Sequence, residues 1–437
     1  MGLHRACCSG WLRAAVAIGL LGLLVPCRAR PTQAQTPAKG LKNEVAPPAA
    51  RDVRSRNFLV HTDLSDREAN DLVVELEAML RQISAYWGRP TQGTIECYVV
   101  RDFDNFPPAA MSAAGISGIR TAGGVTLWYT AADGKRDPAR SVVYASARAE
   151  VVRHEAVHAY CHQAFGRVGP VWYSEGMAEM GHYWKEGDAA VRVGQREIDF
   201  LRKNPPKSFA QTLSCSQLSG DSWQNYASRW ALCHFLVHDS NYSPQFMSLG
   251  RGILLGNDIS FDQTYSASAR ELWFEYLLFL QHIDRGYRVD LCAWDWSKKF
   301  AGLRPGRMLT ATIRAGRGWQ PTGLTVSPGM HYECVATGNW RIANGLKTVD
   351  VSGDDHGRGR LVGVLMKDYQ LGPEFDVGDR GSLQMAAGGD LYLRCRNAWN
   401  ELADDSGRVA VRLKRQRPVA ALRKAVLPAA AEIEKTD

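Results

Sequence analysis

The sequence predicts a multidomain protein, an α+β domain followed by an all-β sandwich. Two observations predict it. From Asn57 to about residue 300, a few alternating apolar stretches are followed by several segments of helical period, the pattern of an α+β domain. Beyond about Pro305, short apolar runs separated by Gly, Pro, Asn and Asp clusters replace the helical period, as in a sandwich of about a hundred residues. With 22% charged and 45% hydrophobic residues, the composition excludes collagen, coiled coil and wholesale disorder.

In chain order, residues 1–34 read as a signal peptide. Arg5 and Arg13 precede the apolar run Ala14–Val25, which is followed by Pro26 and the polar Thr32-Gln33-Ala34. That run is shorter than the roughly 20 apolar residues that span a bilayer. No integral membrane segment is expected after cleavage, and the mature chain is expected to be secreted or periplasmic. Residues 35–55, rich in Pro, Ala and Lys, read as a linker.

The first domain then covers 56–305. Asn57–Thr62 alternates as a strand, and Ser65–Trp87 has helical period with Asp66 and Glu68 in its first turn. Thr94–Val100 and Gly123–Tyr129 are further strands. A long helix is predicted from about Ala139, just after Pro138, to Phe165, closed by Gly166; 172–184, 223–239 and 268–285 are helical again. In 306–415, the sandwich strands are Thr322–Val326, Tyr332–Ala336, Leu361–Leu365, Asp390–Cys395 and Arg408–Leu413. The Ala/Pro-rich tail, 416–437, is expected to be disordered.

Charge removes one class of partner. The formal net charge is +8. Four Arg without any acid in 1–34, and seven Lys/Arg against three Asp/Glu in 412–437, account for all of it. The body of the chain is electrically balanced, and a nucleic-acid partner loses its electrostatic basis. Seven cysteines follow the leader with no close-paired metal spacing; Cys334 and Cys395 are the pair nearest to a disulfide expectation, with two buried free thiols as the alternative.

Chemistry concentrates in Arg153-His154-Glu155-Ala156-Val157-His158. On a helix, residues four apart lie on one face, so the two imidazoles converge on one metal while Glu155 points beside it toward a bound water. The plain alternative is a helix with two surface histidines. Fourteen residues after His158 begins Trp172-Tyr173-Ser174-Glu175-Gly176-Met177-Ala178-Glu179. A catalytic zinc site takes three protein ligands and leaves a fourth position open, and two His with one Glu is such a set. Glu175 is the expected third ligand. Glu179, one turn on, is expected to accept a hydrogen bond from a ligand histidine. His162 continues the stripe one turn too far for the same metal and is read as structural or supporting.

These motifs resemble the gluzincin metallopeptidases, most closely the bacterial peptidase MA-like group. Asn57-Phe58-Leu59-Val60-His61-Thr62-Asp63 and its following helix are also similar to that group. The resemblance spans about 56–300. It implies a gluzincin-like fold for this domain, a Zn2+ cofactor held by His154, His158 and Glu175, and Glu155 as catalytic carboxylate. It further implies Tyr226, in Asn225-Tyr226-Ala227-Ser228-Arg229-Trp230, as a donor to the oxyanion, the alternative being a buried aromatic at a helix start. The strand Gly124–Tyr129 matches the gluzincin edge strand that pairs with extended peptide. The Gly-x-Met-Glu-Asn motif that captures a free N-terminus in aminopeptidases is missing, which favours an endopeptidase.

Trp319–Val326, Gly388–Arg394, Asn397 and Asp405-Ser406-Gly407 resemble the LecA-type β-sandwich, known from a calcium-dependent galactose lectin. The resemblance spans about 310–414 and implies Asn397, Asn400, Asp404 and Asp405 as oxygen ligands for Ca2+, with a glycan partner. The lectin's Asn-Asn-Ser-Gly reads Asp404-Asp405-Ser406-Gly407 here, and Trp399 occupies the loop; a sandwich that binds neither is the alternative. The expectation for the whole chain is an exported zinc metallopeptidase acting on peptide or protein substrates. Its alternative is a catalytically inactive carbohydrate-binding or scaffolding protein.

Overall fold

A computed structural model describes the backbone of residues 7–8 and residues 49–129, 140–214 and 221–416. The signal-peptide reading, apart from that backbone pair, and the disordered-tail reading beyond residue 416 fall outside the described residues. The chain divides into two compact units, 1–182 with 215–226, and 183–214 with 227–437. The first mixes helices with a sheet, and the second combines helices with a β-rich C-terminal region.

The first unit contains β1 (Cys7–Cys8), β2 (Arg51–Arg54), β3 (Phe58–Thr62), α1 (Asp66–Trp87), β4 (Ile95–Val100), α2 (Ala113–Ala122), β5 (Gly124–Tyr129), β6 (Arg140–Ser146), α3 (Ala149–Phe165) and α4 (Val171–His182). Its sheet runs β1-β5-β6-β4-β3-β2. The β3–β4 and β4–β6 pairs are parallel, whereas β5 runs antiparallel to β6. Parallel neighbours require a crossover, and α1 supplies the first. It starts on a Ser65/Glu68 capping box and stops at Gly88, whose φ of 66° is left-handed. Its apolar face, including Leu72, Leu76 and Met79, is buried.

The helix expected from Ala139 begins only at Ala149. Residues 140–146, Arg-Ser-Val-Val-Tyr-Ala-Ser, form β6 instead. A β-branched and aromatic run between two strand partners reads as continuously apolar because both of its faces are covered. Residues 51–54, placed in the linker by composition, form β2 on the far edge of the sheet. Helix α2 went unpredicted because Gly115 and Gly118 lower its helical signal. A Cβ at Gly115 would overlap the Tyr144 ring, and one at Gly118 would overlap the Val125 side chain.

The second unit holds α5 (Gln195–Lys203), α6 (Phe209–Leu213), most of α7 (Trp223–His238), α8 (Ser243–Leu255), α9 (Phe261–Tyr265), α10 (Ala269–His282) and α11 (Val289–Cys292). Its strands are β7 (Met308–Arg314), β8 (Gln320–Val326), β9 (His331–Arg341), β10 (Leu361–Lys367), β11 (Gln370–Leu371), β12 (Phe375–Asp376), β13 (Arg380–Gln384), β14 (Gly389–Cys395) and β15 (Ser406–Arg415). They form two antiparallel sheets, β11-β10-β14-β8 with β12 beside β10, and β13-β9-β15-β7. Residues of both sheets, among them Leu324, Tyr332, Leu361, Leu393 and Val411, share one hydrophobic cluster. A second cluster, including Phe274, Trp294, Val364 and Tyr392, draws on both sides of the boundary that composition places at 305.

Cys334 and Cys395 are not bonded to each other; both are free thiols within the shared core. They belong to strands of different sheets, β9 and β14. Burial pushes the Cys334 thiol up to about 12 and raises that of Cys395 as well.

Candidate metal centre

Helix α3 carries the first three residues of the site. It has Glu150 in its first turn and ends at Gly166, with a left-handed φ of 74°. It is buried on most sides, packing against β5, β6 and α4. His154, Glu155 and His158 are therefore not surface groups: they are 3%, 0% and 1% exposed. Buried polar side chains on this scale need partners.

The partners of the two histidines come from α4, and Glu155 meets Thr126 of β5. The two helices approach closely at Gly181, where a Cβ would stand 2.7 Å from Val157 Cγ2 and 3.1 Å from the Arg153 carbonyl. Arg153 reinforces the approach by donating to the carbonyls of Gly181 (3.1 Å) and His182 (2.7 Å) and to Glu75 (2.9 Å). The short separation lets Glu175 and Glu179 reach α3.

Three donor atoms converge. His154 Nε2 lies 3.3 Å from His158 Nε2, and Glu175 Oε2 lies 3.5 Å and 3.7 Å from them respectively. Tetrahedral coordination at ~2.0–2.1 Å places ligand atoms ~3.3–3.4 Å apart, so the triangle fits one small divalent cation. The other ring nitrogens are held on the opposite sides. His154 Nδ1 lies 3.1 Å from Glu179 Oε1, and His158 Nδ1 lies 3.2 Å from Ser174 Oγ. With protons on both Nδ1 atoms, both Nε2 lone pairs face the centre of the triangle.

The electrostatics follow from this crowding. Burial opposes charge on His154, but Glu175, Glu179 and Glu155 outweigh it and hold its pKa well above the usual imidazole range. Burial likewise opposes charge on Glu175, yet the two histidines keep its carboxyl well below the ordinary range. Burial raises Glu155, against the pull of the same histidines and of Thr126. Without a metal ion, the carboxylates thus draw a proton onto His154, which a bound cation would displace.

Thr126 and Ser174 were absent from the sequence reading. Ser174 lies inside the second motif, and its only signal is adjacency to Glu175. His182, with His154 and Glu179, forms a second group of converging donors that the sequence reading also missed. Tyr226 is buried, and its ring centroid lies 6.5 Å from that of His154. His162 stacks on Trp128 at 5.3 Å, and burial lowers its pKa to about 4.

Of the expected calcium residues, Asn397 and Asp405 meet directly. Asn397 donates to both oxygens of Asp405, at 3.0 and 3.1 Å. Asn400 instead donates to the Arg285 carbonyl at 2.9 Å, and Asp404 accepts from the Asn344 amide at 3.3 Å. Trp399 is half-buried: Arg394 lies 4.1 Å from its ring centroid, and His282 stacks on it at 4.5 Å.

Among the described residues, no helix is long and apolar enough to cross a membrane. No protein-family model matches this chain, and no curated protein matches it. Among solved structures it is similar to one described as "EclA N-terminal domain; PllA-like lectin", at 18% identity and a TM-score of 0.22, covering 25% of this chain and 96% of that one.

Proposed function

We propose that this protein is an exported zinc-dependent metallopeptidase of the gluzincin type. The carrying observation is the buried triangle of His154, His158 and Glu175 with Glu155 on the same helical turn. Two imidazoles and one carboxylate suit Zn2+ and leave it a fourth position. When bound, zinc supplies Lewis acidity, polarising a carbonyl and lowering the pKa of water toward ~7.

The chain's own residues supply the rest. Glu155 accepts the proton of the attacking water on its carboxylate and returns it to the leaving amine. Glu179 and Ser174 keep the two histidines in the tautomer whose Nε2 faces the metal. Tyr226 donates to the developing oxyanion.

A peptide substrate is supported by the strand beside the base. One edge of β5 is paired with β6, while the other takes the two-residue β1 in antiparallel register, opposite Val125 and Thr126. An extended peptide adds to a sheet edge in the same manner, through main-chain hydrogen bonds. With no amine-capturing motif in this region, internal bonds are the preferred target.

The test is metal stoichiometry and turnover together. One zinc per chain, lost in His158→Ala, with library-peptide cleavage abolished in zinc-loaded Glu155→Gln, is the expected result. A folded chain that takes up no zinc, or a Glu155→Gln variant that still cleaves, overturns the reading and brings the carbohydrate-binding or scaffolding alternative forward.

A further inference from the structure

Three alternate residues of β5, Gly124, Thr126 and Trp128, meet α3. Trp128 stacks on His162. Thr126, 2% exposed, places its hydroxyl 2.9 Å from Glu155 Oε2 and 2.9 Å from the Glu155 carbonyl oxygen. One hydroxyl hydrogen thus faces both the main chain and the carboxylate of a single residue. At Gly124 the strand leaves a gap. A Cβ there would stand 3.0 Å from Glu155 Cγ, 3.1 Å from its Oε1 and 2.8 Å from Val151 Cγ1. The Glu155 side chain therefore lies across the strand backbone, with Oε2 at Thr126 and Oε1 over Gly124.

A glutamate has three side-chain torsions, and fixing them costs about 1–2 kcal/mol. A helix sets where that side chain starts but not where its carboxylate ends. Threonine on a strand is stiff at χ1, so its hydroxyl is a fixed point. A buried carboxylate also gains more from a hydrogen bond than an exposed one, because water does not replace the lost partner.

We propose that Thr126 is a positioning residue for Glu155, and that Gly124 is glycine because the carboxylate occupies the space of its side chain. Resting on the peptidase reading above, the inference makes β5 a shared element. Its edge takes the extended substrate through the backbone, while its inward side chains aim the general base. Substrate docking and base alignment then depend on one strand, and a displacement of β5 changes both.

The test uses the full zinc-loaded chain. Thr126→Val keeps shape and removes the donor; Thr126→Ser keeps the donor. Valine is expected to retain one zinc per chain and a KM within about twofold of wild type, while kcat falls about ten- to a hundredfold. Serine is expected to restore kcat to within about threefold of wild type. Gly124→Ala, which leaves the hydroxyl in place but crowds the carboxylate, is expected to lower kcat in the same way and supplies the test if valine prevents folding. Crystal structures of the metal-free variants give a readout independent of turnover, with the Glu155 carboxylate expected to leave its wild-type position in Thr126→Val and Gly124→Ala. If wild type cleaves nothing, the peptidase reading fails while this structural readout still decides the role of Thr126. An unmoved carboxylate, an unchanged kcat in Thr126→Val, or a loss that serine does not rescue overturns the proposal.

Discussion

His154 Nδ1 lies 3.1 Å from Glu179 Oε1, on the far side of the ring from the Nε2 that faces Glu175. The carboxylate accepts the Nδ1 proton, so the opposite nitrogen keeps its lone pair for a cation. Glu179→Ala is expected to lower zinc affinity about ten- to a hundredfold, and Glu179→Gln to lower it less, because an amide oxygen still accepts. Competition against a zinc chelator measures both. Equal affinity in Glu179→Ala and wild type would show that the contact does not orient the ring.

The α3–α4 approach makes a second prediction. Gly181→Ala inserts a methyl group 2.7 Å from Val157 Cγ2 and 3.1 Å from the Arg153 carbonyl. Neither neighbour is the loose end of a long side chain, so the helices must part, at about 1–3 kcal/mol. Because Glu175 and Glu179 reach the histidines only across this gap, zinc affinity is expected to fall along with the metal-free melting temperature. A variant that loses stability but binds zinc as tightly as wild type would uncouple the approach from the site.

The part of the site that was legible in the sequence is the part written within one helix. His154, Glu155 and His158 are fixed by a spacing of four, and Glu175 and Glu179 by the same spacing on the next helix. Thr126, Ser174 and Arg153 act across elements, and no local period announces them. Helix α3 shows the same limit at its start. Pro138 and the apolar run after it suggest the beginning of the helix, but Val142, Val143 and Tyr144 are buried in a strand with neighbours on both sides. A fully covered strand has no alternation to distinguish it from a buried helix. In α2 the misleading signal ran the other way, since Gly115 and Gly118 serve close packing at a loss of helix propensity.

The hairpin between β10 and β11 turns through Asp368 and Tyr369, both with left-handed φ, 51° and 61°. Asparagine and glycine suit such a turn; tyrosine in it is strained by about 1–2 kcal/mol. The ring repays this with contacts in the same unit. Its hydroxyl donates to Glu271 at 2.5 Å, Arg270 lies 4.5 Å from the ring centroid, and Phe274 and Trp296 lie within 6.0 Å. Truncating a packed aromatic costs about 3–5 kcal/mol when it is fully buried, and less for a half-buried one. Tyr369→Gly is therefore expected to be net destabilising by about 1–3 kcal/mol, against the relief of turn strain. Denaturant unfolding decides between the two effects, and a stabilised variant would mean that strain outweighs the contacts.

A buried acid pair in the second unit gives the pH dependence its sign. Asp239, just past α7, hydrogen-bonds to Glu275 of α10, and both are almost fully buried. Glu275 already accepts from Tyr242 (2.7 Å), the Trp294 amide (2.8 Å) and Trp296 Nε1 (2.6 Å), donors that suit an anion. Burial, and then the charge of Glu275, raise the Asp239 carboxyl far above its ordinary value of 3.8, so the folded chain holds its proton where the unfolded chain releases it. A group raised in this sense stabilises most below its unfolded pKa, and its contribution declines as pH climbs above that value toward the folded one. Asp239→Asn keeps an N–H for Glu275 and an oxygen for the Asn241 amide, which now donates to Asp239 at 2.8 Å. Having no proton to lose, the variant is expected to melt about 2–4 °C above wild type near pH ~8, with the advantage vanishing near pH ~4. Melting curves for both proteins across that range measure the slope. A variant that tracks wild type at every pH would mean that Asp239 ionises in the folded state despite its burial.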